Sequence, residues 1–212
     1  RIRLNKDGAY QTSKEYDDNG VQIREASLDL AGNQMIDFYG NCGWTNVVDE
    51  YGNHTKAIYF GKDNEPIQMP GTRGSNKVFG YEFTYDKYHR EQDRWYLDSL
   101  GNRDINEYGV YHTVFEYNNH GERSLLSHFD RQGNLIGSDE YGIAQVVTDY
   151  DDKGNLLFLE WRNKDGLPVN GYGDYCRRVL KYDNNGNTIS QFDYLKDDND
   201  SISVSFKRSS AL

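Results

Sequence analysis

Four ring side chains recur along this 212-residue chain at intervals of 37, 32 and 33 residues: Tyr59, Tyr96, His128 and Trp161. Rings in such a row can stack on the faces of sugars, and Tyr and Trp suit a half-wet site because their polar tips can form hydrogen bonds. Tyr and Trp also dominate the energetics of protein–protein interfaces. The row therefore predicts a binding surface, with a glycan as the favoured ligand and a protein as the alternative.

Catalytic motifs are absent from the sequence. It contains no Gly-x-Ser-x-Gly, His-Glu-x-x-His, Walker or Gly-x-Gly-x-x-Gly motif. A glycosidase would need two carboxyl groups about 5–10 Å apart across a cleft, and the 34 acidic residues leave such a pair open. The five His residues are scattered, so we expect a non-enzymatic protein that uses no cofactor.

Two acidic segments invite comparison with calcium-binding loops, which need oxygen ligands at alternate positions and a closing Glu. The first segment, residues 149–154, has Lys153 where an oxygen ligand belongs. The second, residues 15–20, begins on Glu15, and neither has the closing Glu in place. A turn-capping role for these Asp residues is favoured over metal binding.

Charge and cysteine content exclude several classes of function. The net charge is −10 with a pI near 4.9, which would repel nucleic acid and anionic membranes. The only two cysteines, Cys42 and Cys176, indicate neither a disulfide framework nor a zinc site. No apolar run is long enough to span a membrane. The chain starts at Arg1 with no signal peptide, which leaves secretion open.

The elements that must position the ring row belong to an internal repeat. A Tyr-Asp or similar pair, followed three residues later by Gly in five of six cases, recurs at steps of 32, 37, 32, 33 and 32 residues. Such a period indicates stacked supersecondary units. The anchoring pairs are Tyr16-Asp17, Val48-Asp49, Tyr85-Asp86, Tyr117-Asn118, Tyr150-Asp151 and Tyr182-Asp183.

Each unit reads as a β-hairpin followed by a short third strand. Asp or Asn first and Gly fourth is the signature of a type I turn, and a Gly bulge often completes such a hairpin. The sequence therefore predicts an all-β array of about six hairpin repeats of 32–33 residues, forming an elongated or curled antiparallel sheet or solenoid. The most apolar columns lie ten and twelve residues after each anchor, so the ring row at eleven should face outward. The alternative is that the rings form cross-strand pairs or a second buried layer.

Irregular segments interrupt this pattern. Residues 66–76 hold two of the three Pro residues and predict a surface loop, while the last unit ends on an acidic turn at 197–200 instead of a Gly turn. Residues 207–212 should fray. We expect residues 1–212 to form one β-repeat domain.

The strings from Tyr150 to Asn155 and from Tyr182 to Asn187 resemble bacterial YD-type repeats, the class that includes the Rhs and tyrosine–aspartate repeats of surface and toxin proteins. The segment from Gly166 to Tyr172 is similar to looser bacterial repeats. The resemblance covers roughly residues 8–200. It implies a bacterial hairpin array, secreted or at the cell surface, that is not catalytic outside an attached toxin domain. It also implies binding of a polysaccharide or glycan, or a protein-interaction role as an adhesin, effector or toxin-associated module.

Overall fold

The computed structural model describes residues 5–6, 8–68, 78–197 and 201–209, with side chains described as far as residue 204. Over these residues the secondary structure is fourteen β-strands and no helix. The chain divides into two compact units, Arg1–Glu107 (unit 1) and Tyr108–Leu212 (unit 2). The all-β hairpin array is confirmed, and the single domain stays a prediction.

In unit 1 each strand pairs antiparallel with the next one along the chain. Hairpin turns join the strands of each pair, so these turns share one edge of the sheet and the longer connections share the opposite edge. The strands are β1 (Gln11–Tyr16), β2 (Gln22–Leu28), β3 (Gly43–Val48), β4 (His54–Phe60), β5 (Gly80–Tyr85), β6 (Glu91–Leu97) and β7 (Arg103–Asp104).

Unit 2 follows the same antiparallel order. Its strands are β8 (His112–Tyr117), β9 (Arg123–Phe129), β10 (Gln145–Tyr150), β11 (Leu156–Arg162), β12 (Arg177–Tyr182), β13 (Thr188–Lys196) and β14 (Ile202–Ser209). The pairing of β14 with β13 reaches Ser209. Fraying from residue 207 is therefore wrong for residues 207–209, because their backbone completes a hairpin ladder, and 210–212 lie outside the described residues.

The predicted third strand of each repeat is mostly reduced to a single bridge after the second turn, as between Leu28 and Gln34 or Phe60 and Pro66. Only β7 is assigned as a strand at this position in the described chain. Most of the predicted loop at 66–76 lies outside the described residues, while its first residues continue the bridge, with Ile67 N–H donating to the Tyr59 carbonyl at 3.0 Å.

The hairpin turns have the predicted geometry, as the turn after β10 shows. Gly154 adopts φ 81° and its N–H donates to the Asp151 carbonyl at 2.9 Å. The N–H groups of Lys153 and Asn155 both donate to Asp151 Oδ1 at 2.9 Å. A register shift next to Tyr150 marks the bulge. The turn is thus specified by local chemistry: an Asp that accepts three bonds and a Gly that takes the left-handed conformation.

The Asn that follows many of these turns has a role the sequence analysis did not assign. Asn155 Nδ2 donates to Asp151 Oδ2 at 2.9 Å, so the second carboxylate oxygen is also held. This hydrogen bond is the largest influence that lowers the pKa of Asp151 below its ordinary value. The same Asn bond is the largest influence lowering the pKa of three other turn carboxylates: Asp49, Asp130 and Asp183.

Acid is therefore expected to destabilise the fold through these turns. Because the folded-state pKa values lie below the ordinary Asp value of about 3.9, the unfolded chain binds protons more readily. Their stabilisation is complete above that value and is lost as the pH falls through the lowered folded-state values. Thermal unfolding followed from pH 5 to pH 2 should show a falling midpoint, and Asp151→Asn should flatten the decline. A midpoint independent of pH over this range would contradict the assignment.

The anchor Tyr connects consecutive hairpins. Tyr182 OH donates to the Leu156 carbonyl of β11 at 2.9 Å, and Tyr85 OH donates to the His54 carbonyl of β4 at 2.7 Å. In both cases the acceptor is the first residue of the second strand in the preceding hairpin. Tyr16, in the first hairpin, is exposed.

Tyr182→Phe should accordingly lower the free energy of unfolding by about 1 kcal/mol, the usual net worth of one hydrogen bond. The matched control is Tyr16→Phe, which should change it by less than about 0.5 kcal/mol because the side chain is exposed. Urea denaturation measures both. Equal losses in the two variants would show that the Tyr182 bond contributes nothing specific.

Small and apolar side chains fill the core of each unit. In unit 1, Ala26, Cys42 and Phe60 form one buried cluster with Leu28 against it. Cys42 and Cys176 are free thiols, both fully buried, and burial is the largest cause that raises the pKa of each. They behave as small core residues, as the sequence predicts.

Candidate functional site

The ring row does not face outward as the sequence predicts. Tyr96 is 4% exposed and Trp161 is 7% exposed, while Tyr59 and His128 are half-buried. The outward orientation is therefore wrong, and the alternative of a second buried layer describes these rings.

In unit 1 the covering side chain is Tyr81 of β5. Its ring centroid lies 5.7 Å from that of Tyr96 and 6.3 Å from that of Tyr59. The Arg94 guanidinium lies 5.5 Å from the centre of the Tyr81 ring. Burial is the largest cause that raises the pKa of Tyr59. The two row members of unit 1 thus flank a shared ring and belong to one aromatic cluster.

In unit 2 the connections between hairpins supply the cover. Trp161 packs with Ile143 and Tyr175, and the Trp161 and Tyr175 ring centroids are 4.6 Å apart. Val169, from the segment after the second turn, packs against the same cluster. His128 lies opposite Thr113 on β8, and its Nδ1 is 2.9 Å from the buried Thr113 hydroxyl. Strict alternation predicts one wet face only where nothing covers that face, and here the connections cover it.

Exposed apolar side chains collect instead at the edge of unit 1 that carries the connections, here named the connection edge. Leu100 is 83% exposed in the second turn of its repeat, and Phe38 is 71% exposed in the turn before β3. Large exposed apolar side chains are a signal of interaction surfaces when several share one part of a protein. The full set on this edge is Leu30, Ile36, Phe38, Tyr39, Leu100 and Ile105.

The opposite edge of unit 1 carries a cleft of about 540 Å³. It lies between the hairpin turns 49–53 and 86–90, with Phe83 and Tyr85 of β5 among its lining residues. Tyr51, 68% exposed, lines the cleft. The remaining lining residues are Asp49, Asn53, Thr55, Thr84, Asp86, Lys87 and His89.

His89 sets this cleft apart from the other hairpin turns. It adopts φ 61°, a left-handed conformation that Gly occupies at the same position of the other five hairpins. Its ring centroid lies 4.9 Å from that of Tyr51, and its Nδ1 lies 3.0 Å from Asn53 Nδ2. The sequence shows His89 in place of Gly in the third repeat, which is a signal for this site, but the ring row drew the prediction elsewhere.

No group of three or more His, Cys, Asp or Glu side chains is placed to hold a metal ion within the described residues. The turn carboxylates are occupied by backbone and Asn donors, as at Asp49, whose Oδ1 and Oδ2 accept bonds from Tyr51 and Asn53. The described part of the chain also holds no helix with the length and hydropathy needed to cross a membrane.

Comparisons with known proteins give no family assignment. No family model matches the chain, and no curated protein matches it. Solved structures that it resembles include a crystal structure of TcdB2-TccC3-TEV, with a TM-score of 0.49, 14% identity and 86% of this chain covered. A crystal structure of TcdB2-TccC3-Cdc42 has a TM-score of 0.41, 11% identity and 93% coverage. A structure of the Photorhabdus luminescens Tc holotoxin pore has values of 0.40, 13% and 92%.

The chain spans only 7%, 10% and 10% of the length of those three chains. Because all three TM-scores are below 0.5, the likeness is no basis for assigning an activity or a partner. Membership of the YD-type class stays a prediction, while the hairpin repeat that carries it is present in the structure.

Proposed function

We propose that this chain is a non-enzymatic protein-interaction module that binds its partner through the connection edge of unit 1. The observation that carries this proposal is the exposure of six large apolar side chains on that edge, with Leu100 and Phe38 the most exposed. Apolar anchors in a polar surround are typical of protein interfaces. Acidic and amide side chains such as Asp63 and Asn64 supply that surround on the same edge.

Glycan binding by the ring row loses its support because a sugar can stack only on an open ring face. Tyr96 and Trp161 present almost no surface to a ligand. The repeat architecture and the absence of catalytic motifs favour binding over catalysis. The classes this proposal joins are adhesins, effectors and toxin-associated repeat modules, at a cell surface or in secreted form.

Site-specific photo-crosslinking tests the proposal. A photoreactive phenylalanine at position 38 should capture a discrete protein from a lysate of producing or target cells, and Leu100→Ser should reduce that capture by about tenfold or more. The matched control places the same probe at position 16, an exposed Tyr on β1. Val47→Ser, a change at an exposed position of β3, should leave capture from position 38 intact. Identical capture from positions 16 and 38, or none from either, would refute the proposal.

A glycan array gives the complementary measurement. If the ring row binds sugar, the intact protein should give hits that Tyr59→Ala and His128→Ala abolish. We expect those two variants to have no effect on any hit, because the row belongs to covered layers of the fold.

A further inference from the structure

The cleft on the hairpin-turn edge of unit 1 goes beyond this protein-binding role, because it lies on the other edge and involves other residues. Its starting observation is the backbone of His89, the only hairpin-turn residue of the described repeats that takes the left-handed conformation without being Gly. A side chain held in such a conformation is retained when its surroundings demand it, and such positions cluster at ligand sites.

The repeat shows what the ordinary contact at this position looks like. The residue after each turn's Gly lies beside the Gly of the next hairpin: a Cβ on Gly52 would be 3.3 Å from Val21, and one on Gly186 would be 3.6 Å from Asn155. At the third hairpin this contact becomes Asn53 against the His89 ring. The substitution therefore adds a ring to a place where the other hairpins have only backbone.

The hydrogen bonding of that ring fixes its proton. Asn53 Nδ2 can only donate, so His89 Nδ1 accepts from it across 3.0 Å. The neutral imidazole then carries its proton on Nε2, which leaves that nitrogen as a donor for a ligand oxygen. The neighbouring Tyr51 ring presents an exposed face beside it.

The charges around the cleft are already compensated. Asp86 is held by Arg90, whose Nε lies 2.7 Å from its Oδ2. Asp49 is held by Asn53 and its own turn. The Lys87 ammonium lies over the Tyr88 ring at 4.9 Å from its centre. The cleft therefore offers an aromatic face with neutral donors and acceptors, rather than a net charge for an ion.

We propose that this cleft binds a neutral saccharide, with the sugar ring stacked on Tyr51 and a hydroxyl group accepting from His89 Nε2. A saccharide has the matching chemistry: an apolar face of C–H groups and a rim of hydroxyls that both donate and accept. The volume of about 540 Å³ lies within the range of about 300–1,000 Å³ found for small-molecule sites.

Saturation-transfer NMR and isothermal titration on the full chain test this proposal. The probes are glucose, galactose, mannose, N-acetylglucosamine and their β-linked disaccharides. At least one is expected to bind, with a dissociation constant on the order of 1 mM or lower. Tyr51→Ala should weaken that binding by about tenfold through loss of the stacked ring. His89→Gly, which restores the residue of the other hairpins, should weaken it comparably.

The control is Tyr39→Ala, a change at an exposed Tyr on the opposite edge of the same unit, which should leave saccharide binding unchanged. Thermal unfolding of the His89→Gly variant checks its fold, and its midpoint should equal or exceed that of the parent because Gly suits the left-handed conformation. Binding of none of the probes, or unchanged binding in both cleft variants, would overturn the proposal. Since these residues lie away from the connection edge, crosslinking from position 38 should be unaffected by either variant, so failure of one proposal leaves the other standing.

Discussion

Replacing Gly80 by Ala should lower the free energy of unfolding by about 3 kcal/mol or more, an unusually large effect for one methyl group. Gly80 begins β5 and lies opposite Ile58 of β4. A Cβ at Gly80 would stand 2.1 Å from the Ala57 carbonyl oxygen and 3.0 Å from the Ile58 Cα. Both contacts are with backbone, so no side-chain rotation relieves them, and the two strands would have to separate.

The matched control is Gly32→Ala in the same unit. Gly32 has φ 86°, and a Cβ there would meet nothing within 4 Å. Its cost should be about 1 kcal/mol, from the left-handed conformation alone. Urea denaturation of both variants separates the two effects. Losses of equal size would mean that the close approach at Gly80 is relieved at no cost and that the prediction is wrong.

The same crossing is built differently in unit 2. Gly43 and Gly80 are the residues that meet the preceding hairpin in unit 1, whereas Gln145 and Arg177 occupy the equivalent places in unit 2. Unit 2 therefore accommodates full side chains where unit 1 requires backbone contact. The sequence shows this difference only as two Gly residues at the starts of strands, where a bulge or close approach is equally plausible.

The turns could be predicted because their chemistry is local. Asp151, Gly154 and Asn155 lie within five residues of one another, and their bonds to each other specify the turn without help from the rest of the chain. The same holds for the other Asp-x-x-Gly-Asn turns. The hairpin array therefore followed from spacing and residue type alone.

The orientation of the ring row could not be predicted because it depends on distant segments. The cover over Trp161 comes from Ile143 and Tyr175, which lie in the connections on either side of its hairpin. A period of two in β11 states which residues share a face, but not which faces are covered. The cleft is an intermediate case: the sequence shows that His89 replaces Gly, whereas its contacts with Tyr51 and Asn53 require two hairpins to lie side by side.

Glu160 carries the other large expected effect. It occupies a core column of β11 and is 2% exposed. Its Oε1 accepts from Arg162 Nε at 2.7 Å, and its Oε2 accepts from Arg177 Nε at 2.7 Å and also from Arg177 Nη2. The carboxylate lies between two guanidinium groups that are roughly one-third exposed. The buried charge is thus held by partners that still reach water.

Glu160→Ala should lower the free energy of unfolding by about 2–4 kcal/mol, because it leaves two cations side by side with no counter-charge. The figure is below that for a fully buried pair because water screens the half-exposed guanidinium groups. Asp165→Ala is the control: it removes the exposed Lys164–Asp165 pair and should cost less than about 0.5 kcal/mol.

A further variant separates charge from packing. Glu160→Gln keeps the shape and one acceptor oxygen, so it should recover part of the loss if packing contributes and none if the repulsion between Arg162 and Arg177 dominates. Added salt screens exposed charges, so it should narrow the gap between the Gln variant and the parent in the second case only. If Glu160→Ala and Asp165→Ala cost the same in urea denaturation, the carboxylate of Glu160 is not the residue that holds β11 to β12.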